Sequence, residues 1–292
     1  MLATRTIPAI TFTRSGREIV RALANLNDQY SFFLFLEYQF KEHLQGLDQT
    51  TLEQYTSEVF HRNPFGSMIH VRIGKLESFL QANRGVSFGA YLSTSYEIAS
   101  SFTERSFELL RETNLATVRF PPTRREGPEH YYRRVLIASG YPPPRQEITD
   151  TMSFIRLRRN SIVHLGTVPS PAYQTFTVGS GPSLNTYWKK SKVQIDFTNP
   201  VVGPPSEKDT LDLIKFLRIS TQHFDAHLAS IVDVPCLINS VAERVFGDER
   251  VRMNLLIREK RAHKLRSLLT RDFGFSGSMG VLEAAVKTVG VR

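Results

Sequence analysis

The residues best suited to chemistry lie together between Phe154 and Leu165, where the chain reads FIRLRRNSIVHL. Arg159 is followed at once by Asn160 and, four residues after Asn160, by His164. On a helix turning about 100° per residue, Arg156, Arg159, Asn160, Val163 and His164 share one stripe. Phe154, Ile155, Ile162 and Leu165 fall on the opposite side, where they can enter a core. Histidine titrates near neutrality, so one imidazole can take a proton in one step and return it in another. Arginine stays charged and presents a planar fork that matches a phosphate. Asparagine offers a donor and an acceptor, enough to orient the imidazole or a phosphate oxygen. Together they suit RNA cleavage in which the 2′-hydroxyl attacks its own phosphate. That reaction needs proton transfer and charge stabilisation and calls for no metal or other cofactor.

RNSIVH, Arg159 to His164, resembles the R-x4-6-H signature of the HEPN ribonucleases, in which a polar residue follows the arginine. The resemblance covers six residues and a helical neighbourhood of about 130. It implies an all-helical domain in which two protomers form one metal-independent RNA-cleaving site. It also implies catalytic roles for Arg159 and His164, supported by Asn160. A bacterial toxin or phage-defence role follows from it, with a cognate antitoxin or a nucleotidyltransferase as a possible partner.

The 292 residues carry 41% hydrophobic and 22% charged side chains, ordinary for a globular chain of one large or two small domains. The net charge of +9 favours a polyanion such as RNA as partner. Arg133, Arg134, Arg156 and Arg158 are the basic residues expected to hold the strand, with Trp188, Lys189 and Lys190 interleaving an aromatic ring and cations. Cys236 is the only cysteine, which excludes an internal disulfide or thiolate zinc site. No apolar run reaches membrane-spanning length and the N-terminus lacks a signal-like apolar core, so the expected compartment is the cytoplasm.

The elements that must position these groups read as mainly α. Periodicity predicts helices over about 17–47, 51–61, 67–83 and 87–112. A short basic helix starts at His130, the prolines Pro142, Pro143 and Pro144 make a stiff connection, and the motif helix runs over 147–165, closed by Gly166. Residues 167–205 are expected as a β-hairpin or long loop, with strand-like runs at Tyr173–Val178 and Val193–Phe197. Ser206 and Asp209 have the spacing of a capping box opening a helix that runs to about Leu228. His223 and His227 on that helix are four apart, and solvent exposure is the expectation over metal binding. The outer face of a helix over 248–270 carries Arg258, Lys260, Arg261, Lys264 and Arg266, as either a phosphate-binding ridge or a solvated face. The expected organisation is an N-terminal helical region (1–84), a HEPN-like bundle (85–230) with the insertion at 167–205, and a basic helical extension (231–292). The functional expectation is a dimeric endoribonuclease, and the alternative is a non-catalytic helical module that binds nucleic acid or a protein.

Overall fold

A computed structural model describes residues 9–114, 117–122, 126–163, 168–191, 195–203, 205–247 and 255–289, except for the side chains of Leu255 and Leu256. The chain is mainly helical, with thirteen α-helices and no strand among the described residues. The helices are α1 (Arg14–Gln45), the short α2 (Gln49–Glu53), α3 (Thr56–Val59) and α4 (Gly66–Ile69), then α5 (Leu76–Thr113), α6 (Pro128–Ala138) and α7 (Gln146–Val163). They continue as α8 (Pro171–Gly179), α9 (Gly181–Trp188), α10 (Glu207–Ile231), α11 (Val234–Phe246), α12 (Leu255–Phe273) and α13 (Met279–Val289). Isolated bridges join Ala9 to Ser276 and Tyr55 to Arg72.

The residues fall into two compact units, each assembled from separated stretches of chain. The first comprises 1–22, 97–156 and 216–292, and the second 23–96 and 157–215. In the first unit, Tyr132 of α6 is fully buried and meets Phe107 of α5 and Phe224 of α10 at ring separations of 5.6 and 5.7 Å. Beside Phe224, the buried Asp225 carboxylate accepts the Thr13 backbone N–H at 2.9 Å and the Thr13 hydroxyl at 2.6 Å. It thereby anchors the start of α1.

Burial pushes the Asp225 carboxyl from an ordinary 3.8 up to about 6, against the pull of the two Thr13 hydrogen bonds. A carboxyl whose folded pKa is raised adds stability below about pH 4 and loses it as pH rises through 6. The stability of the wild type relative to Asp225→Asn is therefore expected to fall by about 2–3 kcal/mol between pH 4 and pH 7. Urea unfolding at a series of pH values checks this, and a difference that is flat or rising with pH contradicts it.

In the second unit Tyr30 of α1 is buried edge-on against Phe88 and Tyr91 of α5, at 5.3 and 5.0 Å. Arg84 of α5 donates to Glu37 of α1 and to Glu207 of α10, tying three helices together. The Ser206–Asp209 capping box forms as expected, with the Asp209 N–H donating to Ser206 Oγ at 3.1 Å and the Ser206 N–H donating to Asp209 Oδ2 at 3.4 Å.

Several sequence expectations are corrected, among them the single helices expected over 51–61 and 67–83, each of which is broken, after Glu53 and after Ile69. The gap expected between helices at 84–86 is absent, because α5 runs unbroken through Gly85 and Gly89. The reason lies in packing: a Cβ at Gly89 would sit 2.8 Å from Ile162 Cγ2 of α7, so glycine lets the two helices approach closely. The strand expected at Tyr173–Val178 is part of helix α8, because Ser170 Oγ caps the Tyr173 N–H and Pro171 occupies the first helical turn. Of the second expected strand, Val193 and Gln194 lie outside the described residues, and Ile195 to Phe197 are not in a strand.

Gly181 opens α9 directly against the backbone of the 195–198 segment. A Cβ there would lie 2.6 Å from the Phe197 carbonyl oxygen and 3.0 Å from Thr198 Cα. Gly181→Ala is expected to destabilise the protein by about 1–3 kcal/mol, since backbone cannot step aside as a side-chain tip can. Gly179→Ala, whose Cβ would meet nothing within 4 Å, is the matched control and stays within about 0.5 kcal/mol of the wild type. Thermal melts of the pair decide it.

Candidate active site

Helix α7 buries Phe154 and Ile155, as its periodicity requires, and leaves Arg159 and Asn160 half-buried near its C-terminal end. Within the second unit, Arg159 Nη1 donates to Asn160 Oδ1 at 3.0 Å. The guanidinium carbon lies 5.8 Å from the centre of the Tyr96 ring on α5, within cation–π range. The guanidinium and the amide thus form one unit, with the amide oxygen committed to the arginine. The donor end of the amide is then the end that can meet an anion. His164 and Gly166 lie outside the described residues.

Directly after this pair, the last turn of α7 lines a cavity of about 500 Å³. Ser161, Ile162 and Val163 form one wall, and the other carries small side chains of α5, among them Ala82, Gly85, Gly89 and Ser93. Gly203 closes a third edge, held in a left-handed conformation (φ 91°) that favours glycine. The lining is mostly apolar, so the cavity offers shape but few groups able to move a proton.

The arginines expected to hold a strand are engaged inside the protein. Arg158 is 4% exposed and donates to the Val201 carbonyl at 3.0 Å, with Asp209 at 3.8 Å. Beside it, burial pushes the Tyr173 phenol up, while the Arg158 charge pulls the other way. In the first unit, Arg156 Nε donates to Glu129 Oε1 at 3.0 Å. Arg133 donates to the Pro144 carbonyl, and Arg134 to Glu126 and, at 2.7 Å, to the Pro122 carbonyl. Trp188 is only 8% exposed, so its faces are packed and not presented to a base, while Lys189 and Lys190 are exposed. The expected phosphate and base contacts of Arg158 and Trp188 are therefore corrected to internal packing. Arg133, Arg134 and Arg156 keep partial exposure, but their guanidinium groups already have partners.

Sequence reasoning passed over the groups around Arg156. Glu129, fully buried, accepts the Ser153 hydroxyl at 2.7 Å on the same oxygen that Arg156 uses, and Ser153 Oγ lies 2.9 Å from His130 Nε2. This is not a nucleophile triad. The serine bonds the carboxylate directly, the histidine does not stand between them, and Ser153 is 1% exposed. In sequence, Glu129 beside Pro128 reads as an ordinary helix-start acid, which hides its part in the core.

The two histidines of α10 differ. His223 is exposed as expected, whereas His227 is half-buried with Nε2 2.9 Å from the Pro142 carbonyl, and burial lowers its pKa. Among the described residues no three His, Cys, Asp or Glu side chains cluster as metal ligands would. No described helix is long and apolar enough to cross a membrane. No protein-family model matches the chain, and no curated protein or solved structure matches it.

Proposed function

We propose that the chain is a metal-independent endoribonuclease of the HEPN type, acting as a homodimer in toxin or defence biology. The observation that carries the reading is the Arg159–Asn160 hydrogen bond at 3.0 Å near the end of a long helix. It joins a permanent cation to an oriented amide one helical turn ahead of His164 in sequence. In this mechanism His164 takes the 2′-hydroxyl proton and returns it to the leaving 5′-oxygen. Arg159 stabilises the charge on the phosphorane, and Asn160 orients the two. RNA is the substrate, and an antitoxin or a nucleotidyltransferase is the regulatory partner. The mainly helical architecture is in keeping with the family but is shared by many others.

The test is RNA degradation in EDTA by wild type, Arg159→Ala and His164→Ala. Loss in both variants supports the reading, and equal cleavage by all three removes it. The second reading, a non-catalytic helical module, is favoured by the apolar cavity beside the pair. A folded wild type that degrades no RNA across broad conditions decides for it.

A further inference from the structure

The net charge is divided unequally between the two units. The first unit holds 25 lysines and arginines against 17 aspartates and glutamates, a net +8, whereas the second holds 12 against 11, a net +1. The arginines of α6 and α7 in that first unit are turned inward to Glu126, Glu129 and carbonyls. The exposed excess therefore lies elsewhere. On α12, Leu265 and Leu269 are fully buried and Arg261 nearly so. The opposite side exposes Lys260, His263, Lys264, Ser267 and Arg271, which by helical geometry fall in one stripe about 100° wide. Lys260 to Arg271 spans about 16 Å at 1.5 Å per residue.

The stripe continues onto α1. Arg17 Nη1 donates to the Arg271 carbonyl at 2.8 Å, which brings the first turns of α1 to the end of α12. That end of α1 exposes Arg14, Arg17 and Arg21 and has no acid in its first turn. Cations at a helix N-terminus oppose the macrodipole and cost stability; Glu18, bonded to Arg14 at 2.8 Å and to Arg105 at 3.0 Å, is one carboxylate set against several of them. Asp272, the second acid at this junction, pairs with Arg271 at 2.7 Å, so the charge of Arg271 is balanced within the protein and the free excess rests on Lys260 and Lys264 with the arginines of α1.

We infer that the outer face of α12, with the first turns of α1, binds the sugar-phosphate backbone of single-stranded RNA without reading its bases. The cations are spaced along a ridge and separated by small polar residues. No Phe, Tyr, Trp or large aliphatic side chain is exposed beyond residue 202 among the described residues, and His263 is the one ring in the stripe. A row of rings for stacking successive bases is thus missing from the face, and so is the apolar wedge with which a surface helix enters a bilayer.

Binding is measured by fluorescence anisotropy with two labelled single-stranded RNA 20-mers of different sequence, using protein carrying Arg159→Ala. The inference does not rest on the nuclease reading, because no cleavage is needed and the catalytic candidate is removed. Log Kd against log salt is expected to be steep and equal for both probes, each phosphate contact contributing about 0.7 to the slope. Arg17→Gln/Lys260→Gln/Lys264→Gln flattens the slope by about 2, and the exposed pair Lys260→Gln/Lys264→Gln alone by about 1.4. At 0.1 M salt the triple change weakens binding by about tenfold or more. Circular dichroism confirms that each variant is folded, and the milder pair serves if the triple is not. An unchanged slope in the folded pair overturns the inference. So does strong preference for one probe, or binding to phosphatidylserine vesicles with none to RNA.

Discussion

Arg159→Ala is expected to lower the rate of RNA cleavage in EDTA by about 10²–10³-fold, the loss that follows removal of one preorganised charge-stabilising donor. The bond to Asn160 Oδ1 and the face of Tyr96 both hold the guanidinium, and the expected loss rests on that fixed geometry. Arg159→Lys keeps the charge but loses the planar fork and recovers only part of the rate. His164→Ala loses about 10²–10⁴-fold, the usual contribution of a positioned acid-base group. Asn160→Asp is informative because it keeps the shape and the bond to Arg159. Its carboxylate neutralises the arginine and repels the substrate, so kcat/KM falls more than a purely steric role for Asn160 allows. Single-turnover assays on a labelled RNA read all four. Cleavage retained within threefold by Arg159→Ala sinks the catalytic assignment.

Arg84→Ala is expected to cost about 3–5 kcal/mol of folding stability, the usual cost of leaving a buried charge without its partner. Arg84 is the cation between Glu37, 8% exposed, and Glu207. Burial disfavours its charge, yet the hydrogen bond to Glu37 and the two carboxylates outweigh that, so its proton is held more tightly than usual. Glu37 Oε2 is buried with no hydrogen-bond partner, and removing Arg84 strands the whole carboxylate in a desolvated place beside a second one. Glu37→Gln in the Arg84→Ala background restores about half the loss, because it deletes the uncompensated charge. Urea midpoints of wild type, single and double variants check this. An Arg84→Ala loss below 1 kcal/mol shows the pair to be solvated.

Part of the site was legible because its signals are short-range. Arg159 and Asn160 are adjacent on a helix whose apolar side, Phe154 and Ile155, is plain in the sequence. Sequence alone assigns the amide to the imidazole or a phosphate oxygen, and only the structure shows its oxygen accepting from Arg159 Nη1. The cap of α10 could be foreseen for the same reason, since Ser206 and Asp209 satisfy each other's backbone across three residues. The helix over Tyr173–Val178 was not foreseen. Its β-branched and aromatic residues mimic a strand, and the Ser170-Pro171 start outweighs that preference.

The sequence by itself determined a mainly helical chain with a basic excess, and it placed an arginine beside an amide with a histidine one turn further on. Local spacing sufficed for that, because helix periodicity and capping act over three or four residues. Tertiary structure alone decided which cations remain for a partner. Arg133, Arg134, Arg156 and Arg158 look like the exposed Lys260 and Lys264 when read along the chain. The acids and carbonyls that engage them lie between 8 residues away, for Arg134 and Glu126, and 43 residues away, for Arg158 and Val201. A charge is solvated or consumed according to what folds against it, and that partner is set by packing, not by neighbours in sequence.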